Sequence, residues 1–303
     1  MRASEEPTVK IGLCFPYTQP DMDRATMLEW FRRVEEGPFS SLSCGERMVG
    51  TSVEMGSTLA AAAAVTERIR IVPSLYVLPM HSAIWVAKHA ATLDLISGGR
   101  VTVTVGVGGR PHDYRCMERE MVRTHVRMDE QIEQIRAIWR GELPFEGTEA
   151  VGPTPVQPGG PPILAGVMGP KATKRAAHWA DGVYSWSGHG DRADIEAQLG
   201  RVRAAWEEAG RSQAPTHAAG FWYSLAEDAP KKLHDYVYKY LRVAGEPIAT
   251  AMAKMQTRSS ADAVREALDA YEELGVEECM LNSATADLRE IDGLLEVLQQ
   301  RGV

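Results

Sequence analysis

The run Gly166-Val167-Met168-Gly169-Pro170-Lys171-Ala172-Thr173 has the residue types of a strand end turning into a helix start. Proline suits the first helical position, where no amide hydrogen is needed, and the free backbone N–H groups of a first helical turn face any anion placed against them. Lys171 and Lys174 fall early in the helix expected over 170–180. There each positive charge opposes the helix dipole by about 0.3–1 kcal/mol unless an anion offsets it. A phosphate is the ligand such a cradle would take. The plainer alternative is a tight strand-to-helix turn with two solvated lysines.

A second glycine-rich run, Gly106-Val107-Gly108-Gly109, follows a β-branched stretch and invites a dinucleotide-binding reading. It fails the fuller test, because Pro111 stands where the third glycine is needed. Asp129, the acidic residue nearest the right distance, opens a helix instead of ending a second strand. For proton chemistry the candidates are Glu46 and His112. Glu46 can take or give a proton, whereas neighbouring Arg47 cannot donate one at neutral pH, and a surface ion pair between the two is the alternative. His112, with Asp113 and Tyr114, lies on the loop after the fourth expected strand and could face a substrate. His81 goes with the helix entry at Ser82, and His189 with a mobile-looking loop, Ser187-Gly188-His189-Gly190. The sequence contains no nucleophile elbow, no P-loop and no His or Cys pair at metal-ligand spacing, so no metal is expected.

The elements that must position these residues follow a repeated strand-then-helix pattern. An alanine-rich run from Leu59 ends at Glu67-Arg68 and is followed by Ile69–Val72, a short β-branched strand. Ser82 can then cap a helix with Ile84, Ala87, Ala91 and Leu95 on one face, Gly98-Gly99 stops it, and Val101–Val107 is strand again. Before these come a strand at Val9–Phe15, a helix with Met27, Trp30, Phe31 and Val34 inward, and a weak strand at Phe39–Leu42. After them come a helix marked by Met128, Ile132, Ile135 and Trp139, then strands at Ile163–Ala165, Gly182–Ser185, Ala218–Leu225 and Glu278–Leu281. Helices are expected at Ile195–Trp206, Asp262–Leu274 and Leu288–Gln300. Eight such steps imply a parallel α/β barrel. Residues 141–162, rich in Gly and Pro, and residues 227–260, with extra helices, read as insertions after the fourth and seventh strands. The whole of 1–303 is expected to be one domain.

Composition limits the partners. The chain has 303 residues, 44% hydrophobic and 24% charged, a globular balance, with a net charge of -8 and no run of basic residues. Nucleic acid and anionic membranes are therefore poor partners, and a small molecule is the expected one. Four scattered cysteines, and no apolar run after the charged Arg2–Glu6 segment, point to a cytoplasmic protein with reduced thiols. A homodimer is compatible with this balance.

The order and spacing of several segments resemble the bacterial-luciferase-like family of flavin-dependent oxidoreductases. The segments are Ala64–Ile71, Leu78-Pro79, Ala87–Asp94, Ser97–Arg100, Gly106–Gly108 and Asp113-Tyr114, with Gly169-Pro170-Lys171 most similar to deazaflavin-using members. The resemblance implies a TIM (β/α)8 barrel that binds FMN or coenzyme F-420 at the C-terminal ends of its strands. It further implies a non-prolyl cis peptide at Ser74-Leu75, and ring contacts from Ser74, Leu75 and Tyr76. On the same basis Gly106 and Gly108 let an isoalloxazine-type ring approach the backbone, and Gly166, Val167, Met168, Gly169, Pro170 and Lys171 hold the phosphate. The family often places His after the second strand, where this chain has Glu46-Arg47. The implied activity is hydride transfer or monooxygenation of a small organic substrate. A non-catalytic flavin-binding barrel and a phosphosugar isomerase are the alternatives.

Overall fold

A computed structural model describes residues 9–20 and 22–302; the Arg2–Glu6 segment lies outside them. Nine parallel strands run β1 (Lys10–Cys14), β2 (Ser41–Cys44), β3 (Arg70–Pro73), β4 (Tyr76–Val77), β5 (Val103–Gly106), β6 (Ile163–Gly166), β7 (Gly182–Trp186), β8 (Thr216–Tyr223) and β9 (Glu278–Ser283). They pair in the order β3-β2-β1-β9-β8-β7-β6-β5-β4. Since β3 and β4 are joined directly through Ser74-Leu75, the two ends of that order meet, and a bridge from Ile71 to Val101 links them again. The result is a TIM-barrel ring of eight strand positions. The ninth strand is β4, which follows the end of the third expected strand, and the Ser74-Leu75 peptide bond between β3 and β4 is cis.

Helices α1 (Arg24–Glu36), α2 (Met55–Ala64), α3 (Ala83–Ser97), α4 (Pro111–Cys116), α5 (Thr124–Trp139), α6 (Pro170–Ala176), α7 (Arg192–Glu208), α8 (Ala229–Leu241), α9 (Glu246–Lys254), α10 (Ala261–Glu273) and α11 (Arg289–Gln300) complete the chain. Local chemistry sets their ends. Asp23 caps α1 by accepting from the Thr26 amide at 2.7 Å, and α1 buries Trp30, Phe31 and Val34. Ser82 sits at the cap position of α3 but makes no side-chain cap bond. The buried face of α3 also differs from the expected one: Val86, Ala87, Ala90 and Ala91 face inward while Leu95 is 55% exposed. Small alanines let α3 lie close to α2 and α5, and the Trp139 indole donates to the Ala87 carbonyl at 3.0 Å.

Residues 141–162 form neither helix nor strand, yet they are pinned. Gln157 donates from its backbone and side-chain nitrogens to buried Asp94, at 2.9 and 2.7 Å. The second insertion is α8 and α9. No helix among the described residues is long and apolar enough to cross a membrane.

Strand alternation fills the barrel in layers. At the N-terminal ends, the buried Glu278 carboxylate accepts from Ser40 Oγ at 2.5 Å and Ser41 Oγ at 2.7 Å and pairs with Arg70. Above it pack Val72, Leu164, Tyr184, Ala218 and Met280. With its lower end closed, the barrel opens toward the C-terminal ends.

Candidate active site

A cavity of about 1020 Å³ lies over the C-terminal ends of strands β4–β9. Its floor carries Leu75, Gly106, Gly166 and Tyr184, and one wall is the β6–α6 connection, Val167 to Lys171. The facing wall is aromatic. Trp186 and Trp222 meet edge to face at 5.0 Å between centroids, and Trp222 meets Tyr240 of α8 at 5.3 Å. Leu241, Ile248 and Met252 from the α8–α9 insertion roof the space.

The glycines at strand ends serve packing. A Cβ on Gly106 or Gly166 would lie 2.9 or 2.5 Å from Leu75 Cδ2, and one on Gly108, at φ 63°, would lie 2.7 Å from Val77 Cγ1. The space in front of Gly106 and Gly166 is thus taken by Leu75. A planar ligand would meet that side chain first, where the sequence suggested direct approach to the backbone. Gly169 is different: nothing lies within 4 Å of a Cβ built there, so its surroundings are open.

Helix α6 starts as expected, with Gly169 at the cap position, Pro170 first in the helix, and the Thr173 amide donating to the Gly169 carbonyl at 3.0 Å. It stops at Ala176, four residues short of the expected end. Lys174 therefore falls in the last turn, where a cation is favourable, and pairs with Glu208 at 2.7 Å. The dipole argument then applies to Lys171 alone. Lys171 has no carboxylate within ion-pair reach among the described residues, and it lines the cavity.

Of the expected site residues, Ser74, Leu75, Gly106, Gly108 and Gly166 through Lys171 come together in this cavity. Tyr76, Glu46 and His112 do not line it. Tyr76 is fully buried, with its hydroxyl 2.6 Å from His89 Nδ1 on α3, because alternation along β4 turns it away from the cavity. The Glu46 carboxylate is buried, accepts from the Val77 amide at 2.7 Å and lies 2.8 Å from His81 Nε2. The alternative, an ion pair with Arg47, does not form: Arg47 lies 4.3 Å over the Tyr240 ring. Behind the floor, Trp85 stacks between His81 and His89 at 5.0 and 4.8 Å. His112 is exposed on α4. Its neighbours are structural: Asp113 accepts from the Met48 and Val49 amides, and the Tyr114 hydroxyl donates to the Val107 carbonyl at 2.6 Å.

The polar groups that do face the cavity include His125, His189, Ser187, Asp194 and Asn282. Ser187 Oγ donates to Asp194 at 2.9 Å. The loop 187–190 is anchored, since Arg258 donates to the His189 and Gly190 carbonyls at 3.0 Å each, and His189 Nδ1 is buried without a hydrogen-bond partner among the described residues. Burial pushes the Tyr17, Tyr184 and Tyr236 phenols well up, so at neutral pH they remain protonated donors. Burial likewise pushes the Cys14 thiol up to about 12, which leaves it unreactive. No group of metal-ligating side chains occurs among the described residues. His125 and the aromatic wall escaped sequence reasoning. The one available signal was alternation, which turns Trp186 and Trp222 inward at the ends of β7 and β8.

The family model for luciferase-like monooxygenases matches residues 9–279. An uncharacterized protein of Mycobacterium tuberculosis is 35% identical over 161 residues, 50% of this chain and 54% of that protein. The chain thus spans about half the length of the curated relatives it matches. Among solved structures, the monooxygenase RslO1 from Streptomyces bottropensis superposes with a TM-score of 0.78 at 24% identity, covering 97% of this chain and 100% of that one. An F420-dependent secondary alcohol dehydrogenase in complex with an F420-acetone adduct gives 0.76 at 19% identity, covering 96% and 98%. At these identities the two structures speak to the fold.

Proposed function

The chain belongs to the luciferase-like monooxygenase family, and from that premise we propose that it binds a flavin-type cofactor, F-420 or FMN, in the cavity above β4–β9 and uses it to oxidise or reduce a small organic substrate. The observation that carries the proposal is convergence: Gly166 through Lys171, with their physical reason to meet an anion, line the same cavity as Ser74, Leu75, Gly106 and Gly108. The residues fit the group. Gly169 leaves open space beside the first turn of α6, and Lys171 supplies an uncompensated charge. A volume of about 1020 Å³ is at the upper end of the ~300–1,000 Å³ usual for small-molecule sites, enough for a tricyclic ring with a small substrate beside it.

In this reading the amides of the β6–α6 connection and Lys171 hold the phosphate, and Leu75 supports the ring. Trp186, Trp222 and Tyr240, under the α8–α9 roof, exclude water. When bound, the cofactor supplies the redox chemistry, hydride exchange with F-420 or oxygen activation with FMN. His189, on a loop fixed by Arg258, and His125 are the imidazoles that face the substrate space. The protonated phenols of Tyr17 and Tyr184 donate hydrogen bonds to a substrate oxygen. Glu46, at the back of the floor, acts by holding the Val77 amide and His81 in place. One observation favours a non-catalytic flavin-binding barrel instead, namely that neither Glu46 nor His112 reaches the cavity.

The test is to titrate the protein separately with FMN and F-420, oxidised and reduced, following cofactor fluorescence or absorbance. One of them should bind with a Kd of about 10 µM or tighter. If neither binds by about 100 µM, the proposal is wrong. If one binds but is neither reoxidised nor reduced across a panel of small alcohols, ketones and aldehydes with and without oxygen, the non-catalytic reading takes its place.

A further inference from the structure

We propose that the substrate carries an anionic oxo group, a carboxylate or phosphate, which is held in a second, basic chamber behind the tyrosine wall of the main cavity. The proposal rests on the cofactor reading above. The chamber measures about 390 Å³ and carries four cationic side chains, Arg47, Arg110, Lys232 and Lys239, against one carboxylate, Asp235. On a chain with a net charge of -8 this is a local inversion of sign. Arg110 is paired with Asp113 at 3.1 Å, and Asp235 is engaged by Lys231 at 2.6 Å and His234 at 3.2 Å. Arg47, Lys232 and Lys239 have no carboxylate within ion-pair reach among the described residues. Three cations around one small space repel each other, and an anion between them relieves that repulsion.

The chamber belongs to the same site because the wall between the two spaces is thin. Tyr236 and Tyr240 line both, with ring centroids 5.9 Å apart. Tyr240 meets Trp222 on the main-cavity side and the Arg47 guanidinium on the other. Lys232, Tyr236, Lys239 and Tyr240 share one face of α8, by their spacing of four, seven and eight residues. For one substrate to span both, one of these tyrosines must turn so that the two spaces join.

Topology separates this anion from the cofactor's phosphate. The chamber's loops at Thr18, Arg47–Ser52 and Ala284 follow β1, β2 and β9, three neighbours in the ring, and α8 after β8 and Arg110 after β5 complete it, whereas the phosphate cradle follows β6. Around eight positions β6 stands opposite β1. A cofactor anchored at Gly166–Lys171 thus leaves the chamber to the molecule across from it, an apolar or aromatic body in the main cavity with an acidic end beyond the wall.

A matched pair of fluorescent probes tests this without cofactor: 8-anilinonaphthalene-1-sulfonate and the neutral N-phenyl-1-naphthylamine, which differ by one sulfonate. In low-salt buffer the parent should bind the sulfonate about tenfold more tightly, the gain of one charge-assisted contact. The double variant Lys232→Ala/Lys239→Ala should lose that advantage while keeping its affinity for the neutral probe and its thermal stability. Inorganic phosphate should displace the sulfonate from the parent only. Equal affinity for the two probes, an advantage that survives in the double variant, or one that is lost on Lys171→Ala instead would overturn the proposal. The cofactor reading fails separately. If neither FMN nor F-420 binds while the probe pattern holds, the main cavity has another occupant and the anion chamber stands.

Discussion

In the proposed reading Leu75 is the side chain through which the barrel floor meets the cofactor ring, and Gly166→Ala tests that role. The new methyl would sit 2.5 Å from Leu75 Cδ2 and 3.4 Å from the Val105 carbonyl oxygen. Leu75 must retreat by about 1 Å to restore an ordinary carbon–carbon separation of about 3.5 Å. It is half-buried and borders the cavity, so in the free protein it can swing into open space. The expected loss of stability is below about 1 kcal/mol, a fall in Tm of no more than about 2–4 °C. With the cofactor bound that space is filled, and the same shift becomes overpacking, which costs about 1–3 kcal/mol. Cofactor affinity should therefore fall by about tenfold or more. Fluorescence titration of parent, Gly166→Ala, Leu75→Ala and the double variant closes a cycle in which the double variant recovers most of the loss caused by Gly166→Ala. Unchanged affinity in Gly166→Ala, or a loss that Leu75→Ala does not relieve, would refute the view that the ring lies on Leu75.

Lys171→Ala should weaken the phosphorylated cofactor modestly, by about three- to tenfold, and make the remaining affinity less sensitive to salt in titrations at low and high ionic strength. Glu46→Gln should cost about 1–2 kcal/mol in urea unfolding, since it weakens the hold on the Val77 amide and His81. Its turnover should keep the parent's pH profile, and loss of one limb of that profile would return Glu46 to proton transfer. His217, buried on β8, has its pKa pushed down to about 4 by burial and by Arg203, against about 6.5 when unfolded. The unfolded chain binds the extra proton between those values, so stability should fall by about 2–3 kcal/mol as pH drops from 6.5 toward 4. His217→Gln should flatten that part of the curve.

The barrel was legible from sequence because hydrophobic periodicity and helix stops are local signals, clear in α1, α5 and α10. The face of α3 was not, since alanine carries almost no directional preference and only the packing of α2 and α5 decided which alanines turned inward. The strand-to-helix turn at Gly166–Lys171 was readable because Gly and Pro each have a conformational reason to be there. The helix's early stop, which moves Lys174 to its far end beside Glu208, has no breaker residue in the sequence to announce it. Tyr76 shows the same limit, since which way a strand-end side chain points depends on where the strand breaks, and Glu46 does too, since its carboxylate is held by Val77 and His81, some thirty residues further along the chain. His125 and the aromatic wall come from elements far apart in the chain, so nothing local marked them as neighbours.

The central claim is that a phosphorylated flavin-type cofactor sits with its phosphate at Gly166–Lys171. Comparing the affinity for FMN with that for riboflavin, and for F-420 with that for its dephosphorylated form, tests it most directly. The phosphorylated member of the pair that binds should be favoured by about tenfold or more in the parent, with the gap narrowing in Lys171→Ala. Equal affinity for the phosphorylated and dephosphorylated forms in the parent would contradict the account.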